Sequence, residues 1–179
     1  FLREVLIAMG VGDKFVAWVM LLLSQDTRAC AVVNGYKSAK VHFTAGVRQG
    51  CPLAPLLYLF VGEALLRFLK AQPSLGVTVA GDRVVAAQFA DDIDPVLKGP
   101  EVVPMLVDCL TTYGDASNQH INVDKSKLLP VGRPSPAPVA ATIAGIPVVD
   151  SASTLGIKFH AGLAPVSYTH LAGDSQMTL

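Results

Sequence analysis

The stretch VVAAQFADDIDPVLKG, residues 84–99, places two adjacent carboxylates between two short apolar runs. Residues 84–89 and 93–97 have the length and the β-branched character of strands, so they predict a hairpin whose turn is Ala90-Asp91-Asp92. A purely structural turn usually carries Asn-Gly or Asp-Gly, because both supply positive φ. Like charges at the end of a buried hairpin are unfavourable unless a cation compensates them. A solvated turn and a cation site both remain open at this point.

Composition limits the class of protein. The chain has 179 residues, 51% of them hydrophobic, which fits one domain with a real core and excludes disorder. The longest wholly apolar run, residues 15–23, is too short to cross a bilayer, so no membrane partner is expected. The formal net charge is zero. This counts against nucleic acid as a partner unless positive charge is gathered on one face or lies outside this chain.

The cysteines predict the compartment. Cys30, Cys51 and Cys109 are far apart and show no CxxC spacing, so we interpret them as reduced thiols of an intracellular protein, nuclear or cytoplasmic. Zinc is not expected for the same reason. Because Phe1 is not an initiator methionine, we interpret the chain as a fragment or a processed product.

Helical spacing and turn signals organise the first 70 residues. They predict helices over about 1–9, 14–24 and 56–70, and hairpin strands over 28–33 and 37–43. Asp13 is expected to cap the second helix, and Asn34-Gly35 is the strongest short hairpin signal available. The early part of the third helix is apolar all round, so we expect it to be deeply buried.

The remaining chain alternates strands with one helix. Predicted strands span residues 77–79, 84–89, 93–97, 121–129, 144–149 and 154–159, and a helix spans 100–113. Gly114 is expected to end that helix, and the Pro-rich residues 132–138 indicate a linker. Antiparallel strands with helices grouped between them indicate an α+β fold, with helices packed on one face of an antiparallel sheet.

Four motifs in order resemble a known family. GVRQGCPLAPLL at 46–57, FADD at 89–92, NVDKS at 122–126 and LGI at 155–157 are similar to consecutive motifs of reverse transcriptases from non-LTR (LINE-type) retrotransposons. The resemblance favours the cation site over the solvated turn. It implies a polymerase palm-like antiparallel sheet plus part of the fingers. Residues 1–160 would form a partial reverse transcriptase domain, and 161–179 would be a tail.

The resemblance implies two-metal nucleotidyl transfer at the acidic turn. Asp91 and Asp92 would bind Mg²⁺, two ions in the complete enzyme, because hard divalent ions prefer carboxylate oxygens. In an alternating strand Phe89 and Asp91 would share one face, so the main ligand role is assigned to Asp91. Lys125 would neutralise or protonate the pyrophosphate; a solvated strand lysine is its alternative interpretation.

The loop before the third helix would meet the substrates. By resemblance Arg48 contacts phosphate, Gln49 hydrogen-bonds the template or incoming nucleotide, and Gly50 permits close approach of the backbone. Phe89 is assigned to the same template and nucleotide site. The alternative for Gly50-Cys51-Pro52 is simply the start of a helix.

The sequence also departs from the family pattern. Asn118 stands where glycine is common, and Thr154 where tyrosine is often found. A third metal-binding aspartate belongs to a family motif upstream of Phe1, so we do not expect the chain alone to synthesise DNA.

The resulting hypothesis is a reverse transcriptase fragment. The complete enzyme would extend a DNA primer on an RNA template with deoxynucleoside triphosphates and Mg²⁺. One alternative is an inactive retroelement remnant that at most binds nucleic acid or a protein partner. Another is an unrelated metal-dependent phosphotransferase, which would keep Asp91 and Asp92 but leave the Arg48-Gln49-Gly50 loop unexplained.

Overall fold

The computed structural model describes residues 1–24, 28–42, 46, 50–131, 140–154 and 156–161. Within these residues the helices are α1 (Leu2–Ala8), α2 (Asp13–Leu22), α3 (Ala54–Lys70) and α4 (Val103–Ser117), the last preceded by a 3₁₀ turn at Pro100–Val102. Residues Phe1–Ala64 make up the first of two compact units, and the second begins at Leu65. No helix in the described ranges is long and apolar enough to span a membrane.

The described strands pair as six antiparallel hairpin ladders of two strands each. They are β1 (Arg28–Ala29) with β4 (Val41–His42), β2 (Val32–Val33) with β3 (Tyr36–Lys37), β5 (Val77–Val79) with β6 (Asp82–Val84), β7 (Ala86–Phe89) with β8 (Asp92–Pro95), β9 (Thr142–Ile143) with β10 (Ile146–Pro147), and β11 (Ser151–Thr154) with β12 (Ile157–His160). The mixture of helices and small antiparallel sheets is confirmed. A continuous palm-like sheet with helices on one face stays a prediction.

The first unit is built on an apolar core between its helices. Leu6 of α1, Val16 and Val19 of α2 and Leu57 of α3 are buried against one another. Each fully buried side chain of this size contributes about 1.5–3 kcal/mol to the free energy of unfolding. The two opening helices are confirmed. However, Gly12, not Asp13, is the N-cap of α2, and Asp13 instead places its carboxylate in the first helical turn.

The prediction that the early part of α3 is deeply buried is wrong. Leu57 is 2% exposed, whereas Leu56 and Leu59 are 47% and 66% exposed. The helix packs on the core of the first unit along one stripe, so the neighbouring apolar side chains face away from that core. An all-apolar helix segment therefore does not by itself specify burial on every side.

The predicted hairpin around Asn34-Gly35 is confirmed, with an interruption in its middle. Both turn residues have positive φ, 51° and 81°, as a two-residue primed turn requires. The ladder stops where Cys30 and Ala31 lie opposite the three residues 38–40. There the Ala31 N–H donates to Ser38 Oγ at 2.9 Å, which keeps the two halves of the hairpin together.

The second unit ties its first hairpin to the end of α3. The guanidinium of Arg83, in β6, donates hydrogen bonds to the carbonyl oxygens of Lys70 and, at 3.3 Å, of Gln72. A cation at the carbonyl of Lys70, the last residue of α3, is favoured by the helix dipole. Nearby, the rings of Phe68 and Tyr113 lie 6.4 Å apart, which joins α3 to α4.

Two predicted boundaries in this unit are wrong. Helix α4 runs through Gly114 and ends at Asn118, which takes the left-handed conformation at φ 61°. Gly114 is instead required because there is no space for a side chain: a Cβ there would lie 2.9 Å from the Gln119 carbonyl oxygen. The predicted strand over residues 121–129 is a turn followed by one bridge between Leu128 and Val148. Asparagine tolerates the left-handed conformation, so Asn118 supplies a left-handed residue at the position where glycine is common in the family.

The cysteines are free thiols in three different environments. Cys30 is exposed, Cys51 is half-buried and Cys109 is buried in α4. Burial, assisted by the charge of Asp108, raises the pKa of the Cys109 thiol above its usual range. Cys109 therefore acts as a small apolar core residue at neutral pH.

Candidate active site

The two adjacent carboxylates lie at the tip of a tight hairpin, as the sequence predicts. Strands β7 and β8 pair in a register that joins Phe89 to Asp92 and Ala86 to Pro95. The turn is therefore the two residues Ala90 and Asp91, and Asp92 is the first residue of β8. The Gln88 amide donates to the Ala90 carbonyl at 3.3 Å, which supports the turn from the strand side.

The neighbouring hairpin provides an internal comparison for this turn. Strands β5 and β6 pair Val79 with Asp82 across Ala80-Gly81, the same spacing as Phe89 and Asp92 across Ala90-Asp91. Ala80 and Ala90 have nearly the same positive φ, 52° and 51°, a conformation that costs a non-glycine residue about 1–2 kcal/mol. The β5–β6 turn continues with glycine, whereas the acidic turn places a carboxylate there.

The tip of the acidic hairpin is open to solvent. Asp91 and Asp92 are exposed, and Phe89 beside them is 66% exposed. The expectation that these carboxylates lie at the end of a buried hairpin is therefore wrong, and their mutual repulsion is the unfavourable contribution that remains. Within the described ranges neither carboxylate has a cationic side chain as partner. Their charge is thus available to a cation from outside the chain.

The predicted distribution of side chains over the two faces is also wrong. Directly paired residues of antiparallel strands point to the same face, so Phe89 shares its face with Asp92 and not with Asp91. The strand alternation stops at Phe89 because the turn begins at Ala90. Strand alternation therefore gives no reason to favour Asp91 as the main ligand, and that assignment stays a prediction from the family resemblance.

Asp94 is a residue of this site that sequence patterns did not reveal. It shares its strand face with Asp92, two residues away, and its Oδ2 accepts a hydrogen bond from Thr154 Oγ1 at 2.5 Å. The bond joins the acidic hairpin to β11, the first strand of the hairpin around Gly156. A third aspartate inside an apolar strand was the available signal, since a half-buried carboxylate requires a donor.

We expect Thr154→Val to lower the free energy of unfolding by about 1–3 kcal/mol, because the half-buried Asp94 carboxylate then loses its donor. Valine keeps the shape of threonine, so packing changes little. Chemical denaturation of the purified chain measures the effect. Ser153→Ala, at an exposed position of the same strand, is the matched control. Equal stability of the two variants would show that the hydrogen bond contributes nothing.

Lys125 lies in a turn and not in the predicted strand. Its backbone N–H donates to Asn122 Oδ1 at 3.2 Å, and the Ser126 hydroxyl donates to the Asn122 carbonyl at 2.7 Å. These bonds fix the turn through asparagine, a residue suited to such local pairing. The Lys125 side chain is exposed. Its role at the pyrophosphate stays a prediction.

The predicted substrate loop is described only at Gly50. Arg48 and Gln49 lie outside the described residues, so their predicted contacts stay predictions. Gly50 is exposed, has φ 81° and has open space where a Cβ would stand. The helix that follows begins at Ala54, which leaves Pro52 before the helix and Pro55 inside its first turn. Gly50 is thus a left-handed position ahead of α3.

Comparison with known proteins decides the family. The model of the family described as "Reverse transcriptase (RNA-dependent DNA polymerase)" matches residues 1–159. The chain belongs to this reverse transcriptase family. The resemblance inferred from the motifs around Gly50, Asp91 and Lys125 is thereby confirmed.

Curated relatives of this reverse transcriptase chain come from non-LTR elements. A retrovirus-related Pol polyprotein from type-1 retrotransposable element R2 of Popillia japonica is 25% identical over 118 residues, which cover 66% of this chain and 17% of the relative. The transposon TX1 uncharacterized 149 kDa protein of Xenopus laevis is 32% identical over 128 residues, which cover 70% of this chain and 10% of the relative. The chain therefore spans a small part of the length of these relatives.

The acidic turn of this reverse transcriptase chain fits Mg²⁺ by its donor chemistry. Mg²⁺ is typically bound through one or two carboxylates, several waters and the phosphates of a substrate. Asp91 and Asp92 supply two exposed carboxylates with no competing cation in the described part of the chain. No group of three or more His, Cys, Asp or Glu in these ranges forms a closed metal cage. An open site that shares its ion with substrate phosphates is the arrangement these residues suit.

Proposed function

We propose that this chain carries the nucleotidyl-transfer centre of a non-LTR reverse transcriptase. The complete protein extends a DNA primer on an RNA template with deoxynucleoside triphosphates. The observation that carries the proposal is the pair Asp91 and Asp92, held adjacent and exposed by a two-residue turn in a chain of the reverse transcriptase family. The names of the R2 and TX1 relatives support the retrotransposon origin.

In the proposed reaction the primer 3′-oxygen forms a bond to the α-phosphorus of the incoming nucleotide. The bond from that phosphorus to pyrophosphate breaks, and the hydroxyl proton passes to solvent water. The chemistry that bound Mg²⁺ supplies is charge stabilisation of the attacking oxygen and the leaving pyrophosphate. Asp91 and Asp92 would hold the ions, two in the complete enzyme, side by side at the tight turn between β7 and β8.

The remaining site residues bind and orient the substrates. Lys125, on an exposed turn, neutralises or protonates the leaving pyrophosphate. Arg48 contacts phosphate, Gln49 hydrogen-bonds the template or incoming nucleotide, and Gly50 lets the backbone approach them closely. Phe89 offers an exposed ring at the same hairpin tip as the carboxylates.

The architecture of the complete enzyme belongs to the same proposal. Residues 1–160 form palm and part of the fingers, with the acidic hairpin in a palm-like antiparallel sheet. Residues 161–179 lie outside that domain. The free cysteines are compatible with an intracellular protein, nuclear or cytoplasmic.

Primer extension tests the proposal directly. The protein expressed from its complete reading frame is incubated with a DNA primer annealed to an RNA template, deoxynucleoside triphosphates and Mg²⁺. We expect template-directed extension that stops when EDTA removes the ion. Extension that continues in EDTA, or its absence at every Mg²⁺ concentration, contradicts the proposed function.

A further inference from the structure

One side-chain hydrogen bond ties the acidic hairpin to a distant part of the same compact unit. Thr154 Oγ1 donates to Asp94 Oδ2 at 2.5 Å, and 60 residues of sequence separate the two. The hydrogen bond of the Gln88 amide, by contrast, stays inside the hairpin. Among the described residues, no further side-chain hydrogen bond joins β7 or β8 to another element. The bond to Thr154 is therefore a direct restraint from outside on the position of β8.

Both partners of this bond lie near the turns of their hairpins. Thr154 is the last residue of β11 and pairs with Ile157 across two intervening residues. Asp94 lies two residues beyond Asp92, the first residue of β8, so the two aspartates share one face of the strand. The restraint therefore applies to the strand face that carries one of the two exposed carboxylates.

Packing contributes little to holding this face of the hairpin. Phe89, the cross-strand partner of Asp92, is 66% exposed, and Ala87, the partner of Asp94, is also exposed. Asp94 and Thr154 are themselves half-buried. A hydroxyl that donates to an ionised carboxylate makes a stronger bond than two neutral groups do. The hydrogen bond is thus better suited than apolar contacts to fix the orientation of this face.

We propose that Thr154 is a positioning residue for the metal site at the acidic turn. Its bond to Asp94 holds the first turn-proximal residues of β8, and with them the Asp92 carboxylate, in the orientation that binds the ion. Tyrosine is often found at this position in the family, so the restraint is a feature of this chain. The inference rests on the proposed function, because it assigns a supporting residue to the proposed Mg²⁺ site.

A Mn²⁺ titration of the 179-residue chain tests the restraint without catalysis. Mn²⁺ prefers the same oxygen ligands as Mg²⁺, and the measured quantity is the Mn²⁺ concentration that halves the height of the NMR amide signals of residues 89–92. We expect Thr154→Val to raise this concentration by about 10-fold, as when a group that supports a metal ligand is removed. Thr154→Ser keeps the hydroxyl and should restore the parent value. In a chain that already carries Asp94→Ala, Thr154→Val should have no further effect.

Ile146→Val distinguishes positioning from a loss of stability alone. Ile146 in β10 is 4% exposed, so the change lowers the free energy of unfolding, which chemical denaturation measures beside that of Thr154→Val. Its Mn²⁺ concentration should equal that of the parent, and a rise as large as that of Thr154→Val overturns the inference. Equal values in Thr154→Val and the parent overturn the inference but leave the metal assignment standing. Absence of broadening at residues 89–92 in the parent overturns both.

Discussion

Asp91→Asn is expected to reduce primer extension by more than about 100-fold in the protein expressed from its complete reading frame. Losing a residue that merely supports a metal ligand costs about 10–100-fold, so losing a ligand itself should cost more. Asparagine keeps the size of the side chain but removes the charge that compensates Mg²⁺. Steady-state extension rates of variant and parent give the ratio.

The control for this change is Asp82→Asn in the neighbouring hairpin, at the position that corresponds to Asp92. Asp82 is exposed, follows a two-residue turn and pairs with Val79 as Asp92 pairs with Phe89. Its activity should equal that of the parent. The double change Asp91→Asn and Asp92→Asn should leave the free energy of unfolding unchanged or slightly raised in metal-free buffer, because crowded like charges disappear. Equal activity of Asp91→Asn and the parent contradicts the metal assignment.

Gly50→Val is expected to nearly abolish primer extension. At φ 81° a β-branched residue is strained, so the loop must adopt another conformation, and the added side chain blocks close approach of the substrate. The same assay measures the loss. Because open space surrounds the glycine, no neighbouring side chain of the described residues is displaced by the change.

Gly10→Val is the control that distinguishes blocked approach of the substrate at Gly50 from backbone strain alone. Gly10 has φ 77°, is exposed and also has open space at the position of a Cβ, so the backbone penalty is comparable. We expect Gly10→Val to lower stability slightly and to keep most of the activity. Full activity of Gly50→Val would mean that Gly50-Cys51-Pro52 is only the start of a helix.

Local chemistry made much of this fold predictable. Asn34-Gly35 supplies two residues that tolerate positive φ between apolar strands, so the turn is specified where it occurs. The left-handed conformation of Asn118 likewise follows from its residue type, because asparagine tolerates positive φ. The acidic hairpin was predictable because strand, turn and strand lie within a dozen residues.

The missed features depend on contacts that residue types alone do not specify. Gly114 is a glycine because a Cβ there would meet the Gln119 carbonyl oxygen, only five residues later, where the chain turns after α4. Asp94 pairs with Thr154, 60 residues away. Residues 121–129 contain apolar and β-branched residues, but Asn122 fixes a turn among them and only Leu128 bridges a neighbour there. Propensity alone does not supply a pairing partner.

Binding of Mn²⁺ to the acidic turn tests the central claim most directly. Mn²⁺ replaces Mg²⁺ at oxygen sites and broadens the NMR signals of nearby residues. In the parent chain we expect the amide signals of residues 89–92 to broaden first, while those around the control residue Asp82 stay sharp. In the Asp91→Asn and Asp92→Asn double variant this broadening should disappear. Broadening that persists unchanged in the double variant, or that centres on Asp82, contradicts the metal assignment.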